Sequence, residues 1–168
     1  LKINFANCPE RAMPGSTLNE MINNYRVIGA SSENCFKMTK NLYKSFVKGE
    51  IYKTGLTEAE LIKLFENSYR DLNVGFANEL DSISNLYNVS SRKIIKLANY
   101  HPRVNIHEPG IGVGGHCIPV DPWFLIRKKN SKNSLILSAR ISNLKKEEKI
   151  YTQIFNKINK NKKNLFFG

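Results

Sequence analysis

Cysteine is scarce in this 168-residue chain, acidic residues are few, and long apolar runs are missing. The three cysteines, Cys8, Cys35 and Cys117, are far apart, odd in number and without a C-x-x-C pair. That excludes a disulfide framework and a zinc knuckle and leaves free thiols, with no metal suggested. No run of about 18 apolar residues occurs, and no charged segment followed by an apolar one opens the chain. Neither a membrane span nor a secretory leader is read, so a soluble cytoplasmic protein with no membrane partner is expected.

Fourteen acidic residues face 26 lysines and arginines, a net charge of +12. The excess is not spread evenly. Residues 127–168 hold 12 basic against 2 acidic side chains, while residues 1–126 hold 14 against 12. The basic, asparagine-rich stretch "NKINKNKKN" has no interleaved aromatics for base stacking. A solvated face is therefore favoured over a nucleic-acid site. Leu1 stands where a methionine would begin a chain, and "NLFFG" at the end reads as a strand running into a turn, so a piece of a longer protein is expected.

Along the chain, "LKINFA" alternates as a strand does, and "CPERAMPGS" breaks it with two prolines and a glycine. A short helix then precedes a strand at "RVIGA". A further helix is predicted from about Ser32 to Lys48, with Gly49 as its stop, and "IYKTG" as the next strand. Thr57 with Glu60 has the spacing of a capping box, and it opens about thirty residues without proline. Ile62, Phe65, Tyr69, Leu72, Phe76, Leu80 and Ile83 keep a helical period, so that stripe is expected to pack inward, with Gly75 permitting close contact between helices. Helices at 91–99 and 134–161 follow. The fold class expected is a mainly α central domain with one long helix, flanked by partial α/β edges.

Three groups of residues could carry chemistry. Lys63, Asn67 and Arg70 lie within about 60° of arc on the long helix, a solvated surface or a polar working face beside an apolar stripe. "PGIGVGGHCIPVDPWFL" brings Cys117 together with glycines that let backbone approach a ligand, with His116 adjacent and Asp121 four residues on. A thiol there suits attack on an electrophilic carbon, with Asp121 to position water or a base, or to serve only as a turn residue before Pro122. The glycines run G-x-G-x-G-G, and the strand, helix and acidic residue of a dinucleotide loop are not read at the right distances, so a cofactor phosphate loop is rejected here. Finally, "CPERAMPG" offers Glu10 and Arg11, and "HPRVNIHEPG" offers His101, Arg103 and His107. Loop arginines are natural binders of phosphate or carboxylate.

Together "CPERAMPG", "EAELIKLFENSYRDLNVGFANEL", "ANYHPRVNI" and "PGIGVGGHCIPVDPWFL" resemble the UDP-glucose/GDP-mannose dehydrogenase family over nearly the whole chain, in order and spacing. By this resemblance, His116 and Val120 beside the cysteine and aspartate, and Pro14 where the UDP-glucose enzymes carry a second glutamate, favour the N-acetylhexosamine branch, and "ENSYRDLN" and "HPRVNI" favour its members acting on UDP-N-acetyl-D-mannosamine. UDP-N-acetylglucosamine or UDP-glucose is the alternative substrate, and an inactive dimerisation fragment the alternative of another class.

The resemblance implies two-step oxidation of a sugar C6 alcohol to a carboxylate with NAD as cofactor. It makes Cys117 the nucleophile, Lys63 the acid/base group, Asn67 an oxyanion partner, and Asp121 with Glu10 the helpers of hydrolysis. Arg11, the Ala12 backbone, Lys63, Asn67, Arg70, His101, Arg103 and the Gly114 backbone would hold the UDP-sugar. It implies a homodimer built on the long helix. It also implies three regions: the end of an NAD-binding domain over 1–53, a helical catalytic and dimerisation domain over 54–140, and the start of a UDP-binding domain over 141–168. The fragment alone is expected to have no dehydrogenase activity, since the cofactor fingerprint and most of the uridine site are missing from it.

Overall fold

The computed structural model describes residues 3–129 and 133–161, and places them in two compact units, Leu1–Glu66 and Asn67–Gly168. In the first unit, strand β1 (Ala6–Asn7) pairs antiparallel with β2 (Arg26–Ala30), which pairs parallel with β3 (Ile51–Thr54). Helix α1 (Thr17–Asn23) precedes β2, and α2 (Glu33–Lys44) makes the crossover from β2 to β3. Parallel neighbours need such a crossover, because a tight hairpin cannot reverse the chain twice. The central strand β2 is buried for four consecutive residues, as a strand covered on both faces should be. Its Val27 and Ile28 form the core with Cys35, Phe36, Val47 and Ala59.

Gly29 of β2 is required by close approach. A Cβ there would lie 2.5 Å from the Gly55 carbonyl oxygen and 2.7 Å from the Ala59 Cβ, where the chain enters the next helix. Both obstacles are backbone or near-backbone and cannot swing aside. Gly29→Ala should therefore destabilise this unit by about 1–3 kcal/mol through overpacking. Urea unfolding checks it, and an unchanged midpoint would refute the steric account.

Helix α3 (Leu56–Leu86) has 31 residues, roughly 46 Å of helix at 1.5 Å per residue. In the second unit it is followed by α4 (Ser91–Ala98), α5 (Asp121–Lys129) and α6 (Leu135–Asn161). Ser90 caps α4, its hydroxyl accepting from the Lys93 N–H. Gly75 meets Ala139 of α6, where an added Cβ would sit 3.3 Å from the Ala139 carbonyl oxygen, so the expected close helix contact is present.

Several expectations need correction. The opening strand is only two residues long among the described residues, since Ile3 to Phe5 are irregular. Helix α2 stops at Lys44 on Ser45, short of Gly49, because Ser45 and Phe46 already turn back onto Leu42 and Tyr43. Helix α3 begins at Leu56, with the Gly55 carbonyl accepting from the Ala59 N–H, so Thr57 sits inside the first turn and is not the cap. The expected strand at "NLFFG" lies outside the described residues.

The largest correction concerns the face of α3. Phe65, Tyr69, Phe76 and Ile83 are 58, 64, 47 and 44% exposed, while Asn67, Ser68, Asp71, Gly75, Ala77 and Asn78 are buried. At 100° per residue the line through Asn67, Asp71, Gly75 and Asn78 is roughly opposite the aromatic stripe. The inward face is the polar and small one. Asp71 and Arg140 are 0% and 1% exposed at the side chain and form an ion pair of 2.9 Å. Asn143 donates to the Asp71 carbonyl at 2.9 Å and to its carboxylate at 2.8 Å. Polar groups go inside here because they satisfy one another, which periodicity of apolar residues cannot reveal.

Candidate active site

In the first unit, the loop between β1 and α1 is shaped by Glu10. Its Oε1 accepts from the Arg11 and Ala12 N–H groups at 2.8 and 2.7 Å, and its Oε2 from Arg26 Nη1 at 2.8 Å. Burial pushes this carboxyl up, but the Ala12 N–H, the Arg26 guanidinium and the Arg11 N–H outweigh it and hold it below the usual carboxylate range. Glu10 is thus a fixed carboxylate anchored on an arginine of the central strand.

Arg11 is equally constrained. Its Nη1 pairs with Glu66 at 2.6 Å and donates to the Tyr25 hydroxyl at 3.2 Å, its Nη2 donates to the Tyr25 carbonyl at 3.0 Å, and its guanidinium lies 4.2 Å over the Tyr25 ring. Lys63 reaches the same loop, donating to the Glu10 carbonyl at 3.0 Å. Glu10, Arg11, Ala12 and Lys63 are therefore gathered in one place. Tyr25 and Glu66, which hold Arg11, were not singled out in the sequence, since nothing near either marks it as a partner of residue 11.

In the second unit, Asn67 donates to Asp121 Oδ2 at 2.6 Å. Asp121 is the first residue of α5, a helix that Asp-Pro at its start could have signalled and that the sequence reading left unassigned. The Asp121 and Val120 N–H groups both donate to the Cys117 carbonyl, at 2.8 and 3.0 Å. One short turn thus joins thiol and carboxylate. Cys117 is a free, half-buried thiol with His116 Nδ1 3.4 Å from its sulfur. Gly115 has φ +85°, a backbone state open to glycine, and a Cβ at Gly114 would meet nothing within 4 Å, so that side of the loop is open.

Arg70, His101 and Arg103 are exposed. Among the described residues no hydrogen bond or ion pair links them to Cys117 or Asp121; His101 Nδ1 instead accepts from the Arg103 N–H at 3.3 Å. Residues that the sequence reading missed surround the glycine loop. Asn78 Oδ1 accepts from the Gly110 N–H at 2.9 Å, and Glu147 Oε1 from the Val113 N–H at 3.1 Å. Glu147 stands in "KKEEK", which reads as an ordinary solvated charge run.

Gly110, Gly112 and Gly115 do fit G-x-G-x-x-G letter by letter, but residues 104–110 before them form no strand. Among the described residues there is no strand, glycine-rich turn and helix in the order that cradles a dinucleotide pyrophosphate. The described residues do not form a cofactor phosphate site. No helix among them is long and apolar enough to cross a membrane.

Comparison with known proteins gives this geometry a context. Residues 1–47 match the NAD binding domain, and residues 57–145 the central domain, of the UDP-glucose/GDP-mannose dehydrogenase family. UDP-N-acetyl-D-mannosamine dehydrogenase of Campylobacter jejuni is 46% identical over 156 residues, covering 93% of this chain and 38% of that protein. The enzyme of the same name from Methanocaldococcus jannaschii is 51% identical over 140 residues, 83% of this chain and 32% of that one. Among solved structures, UDP-D-ManNAc dehydrogenase from Pyrococcus horikoshii aligns with a TM-score of 0.84 at 43% identity, over 94% of this chain and 38% of that chain. The chain spans about a third of the length of these relatives. With the anchored Glu10 loop, the long α3 and the glycine loop ending in Cys117 falling within these matches, the chain belongs to the UDP-glucose/GDP-mannose dehydrogenase family.

Proposed function

We propose that the full-length protein carrying this chain, the product of the longest reading frame that contains it, oxidises UDP-N-acetyl-D-mannosamine to the uronate. The observation that carries this reading is the Asn67–Asp121 hydrogen bond at the head of the helix that follows Cys117. It ties a polar residue of α3 to the one turn that bears both thiol and carboxylate. The names of the relatives at 45–51% identity supply the sugar.

NAD, when bound, would supply the hydride acceptor for each of two oxidations, and the described residues of this chain offer no phosphate cradle for it. This chain's residues do the rest. Lys63 takes the proton from the C6 hydroxyl as the aldehyde forms. The Cys117 thiolate adds to that aldehyde, giving a thiohemiacetal whose oxyanion is stabilised by Asn67 and the lysine charge. A second oxidation leaves a thioester, and water directed by Asp121 releases the carboxylate and the thiol. Glu10, held ionised by its three hydrogen bonds, is the second carboxylate assigned to that step. Arg11, the Ala12 and Gly114 backbone, Arg70, His101 and Arg103 hold the nucleotide sugar, the exposed Arg70 and Arg103 having guanidinium groups suited to phosphate oxygens. The free side of Gly114 supports backbone contact with a ligand. The exposed aromatic stripe of α3 supports a homodimer, since an apolar patch of this kind on a helix calls for a cover.

The test is NADH formation by the full-length protein offered UDP-N-acetyl-D-mannosamine, UDP-N-acetylglucosamine and UDP-glucose in parallel. Two NADH per N-acetylmannosamine nucleotide are expected. Turnover of another sugar in its place would reassign the substrate, and a folded protein that turns over none would leave this chain a dimerisation module.

A further inference from the structure

The segment from Val104 to Gly114 forms no helix or strand, yet it leads to a thiol that must be aimed at one carbon. What fixes it is a relay of buried polar groups from two helices. Asp71 of α3 and Arg140 of α6 form the buried ion pair, and Asn143 ties itself to Asp71 by two hydrogen bonds. Asn143 Oδ1 in turn accepts from Asn78 Nδ2 at 3.3 Å, which orients the Asn78 amide so that its oxygen meets the Gly110 N–H at 2.9 Å. One turn beyond Asn143 on α6, Glu147 accepts from the Val113 N–H at 3.1 Å, and the Val113 side chain is buried.

Gly112 lies between these two anchor points, and its own requirement has the same origin. A Cβ on Gly112 would run into the Glu147 Cγ and carboxylate. Gly112 is therefore glycine because the Glu147 side chain passes against it to reach Val113. By contrast, a Cβ at Gly110 or Gly114 would meet nothing within 4 Å among the described residues. The loop is clamped at 110 and 113 and left free at 114, just before the thiol.

We propose that Asn78 and Glu147 are positioning residues, which set where the loop delivers Cys117 without touching substrate themselves. This rests on the reading of Cys117 as the nucleophile. A thiol displaced by about 1 Å costs on the order of 100-fold in rate, while binding contacts made elsewhere are kept.

The experiment uses the full-length protein in four forms: unmodified, Glu147→Ala, Glu147→Gln and Gly112→Ala. Two readouts are taken, the rate of Cys117 carbamidomethylation by iodoacetamide, followed by peptide mass spectrometry with Cys8 and Cys35 as internal references, and kcat and KM for the nucleotide sugar. Glu147→Ala should raise the Cys117 alkylation rate several-fold and lower kcat by about 10–100-fold, with KM within about threefold. Glu147→Gln keeps an oxygen for the Val113 N–H and should restore both readouts. Gly112→Ala leaves residue 147 intact but pushes its side chain off Val113, and should behave as Glu147→Ala. A glutamine variant as impaired as alanine, unaltered Cys117 reactivity in both alanine variants, or KM rising in step with the fall in kcat would overturn the proposal. If Cys117→Ala proves active, the nucleophile reading fails while the alkylation rates still decide whether the clamp holds the loop.

Discussion

Full-length protein carrying Cys117→Ser should lose NADH formation by at least about 10³-fold, the loss expected when a covalent nucleophile is replaced by a poorer one. The reason lies in the acidity of the group. A thiol reaches its nucleophilic anion far more readily than a serine hydroxyl, which needs a strong general base, and the ring nitrogen beside it among the described residues is His116 Nδ1, 3.4 Å from the sulfur. A serine ester would also release its acyl group less readily than a thioester. The size and backbone hydrogen-bonding of the turn are nearly unchanged by this substitution, because the Val120 and Asp121 N–H groups that close it donate to the backbone carbonyl of residue 117. Folding should therefore be retained, as far-UV circular dichroism would show. Activity within tenfold of the unmodified protein would remove Cys117 from the mechanism.

Arg140→Ala should destabilise the second unit by about 3–5 kcal/mol, the cost of leaving a buried charge without its partner. Asp71 is 0% exposed at the side chain, and burial already pushes its carboxyl above the usual range despite the opposing pull of Arg140 and Asn143. Removing the guanidinium takes away the largest of those pulls. A carboxyl whose folded pKa is raised above its unfolded value is stabilised by its proton, so its penalty is absent below the unfolded pKa and grows as pH rises through the folded one. The deficit of Arg140→Ala should accordingly be larger at pH 8 than at pH 5. Urea unfolding at the two pH values measures it. The double change Asp71→Leu with Arg140→Met should recover most of the lost stability, since apolar side chains of similar volume replace a buried pair at little cost. A single variant as stable as the unmodified protein would mean that the pair is solvated.

The same ion pair explains why the sequence misled about α3. Seven apolar residues at helical spacing identify a face, but they do not say what covers it. Periodicity is a property of one helix, whereas burial is decided by what the rest of the chain brings against it. Here α6 brings Ala139, Arg140 and Asn143, which fit Gly75, Asp71 and Asn78, and the aromatic side of α3 is left outward. Sequence separations of 64 to 72 residues divide these partners, and none carries a local mark.

Local chemistry was legible wherever a few neighbouring residues decide it. Helix α4 starts at Ser91 as expected, the proline-free stretch after Thr57 gives a long helix, β2 follows the short α1, and the turn from Cys117 to Asp121 brings its two chemical groups together within five residues. By itself the sequence thus determined the helices other than α5, some of their ends to within a residue or two, and pointed to the loop of the candidate nucleophile, because caps, breakers and loop composition act over a few bonds. Only the tertiary structure decided which face of α3 is buried, why Gly29 must be glycine, that the Glu147 side chain occupies the space beside Gly112, and that Glu10 and Arg11 are pinned by Arg26, Tyr25 and Glu66. Those outcomes depend on steric and electrostatic complementarity between segments far apart in the chain, and no spacing within one segment encodes that.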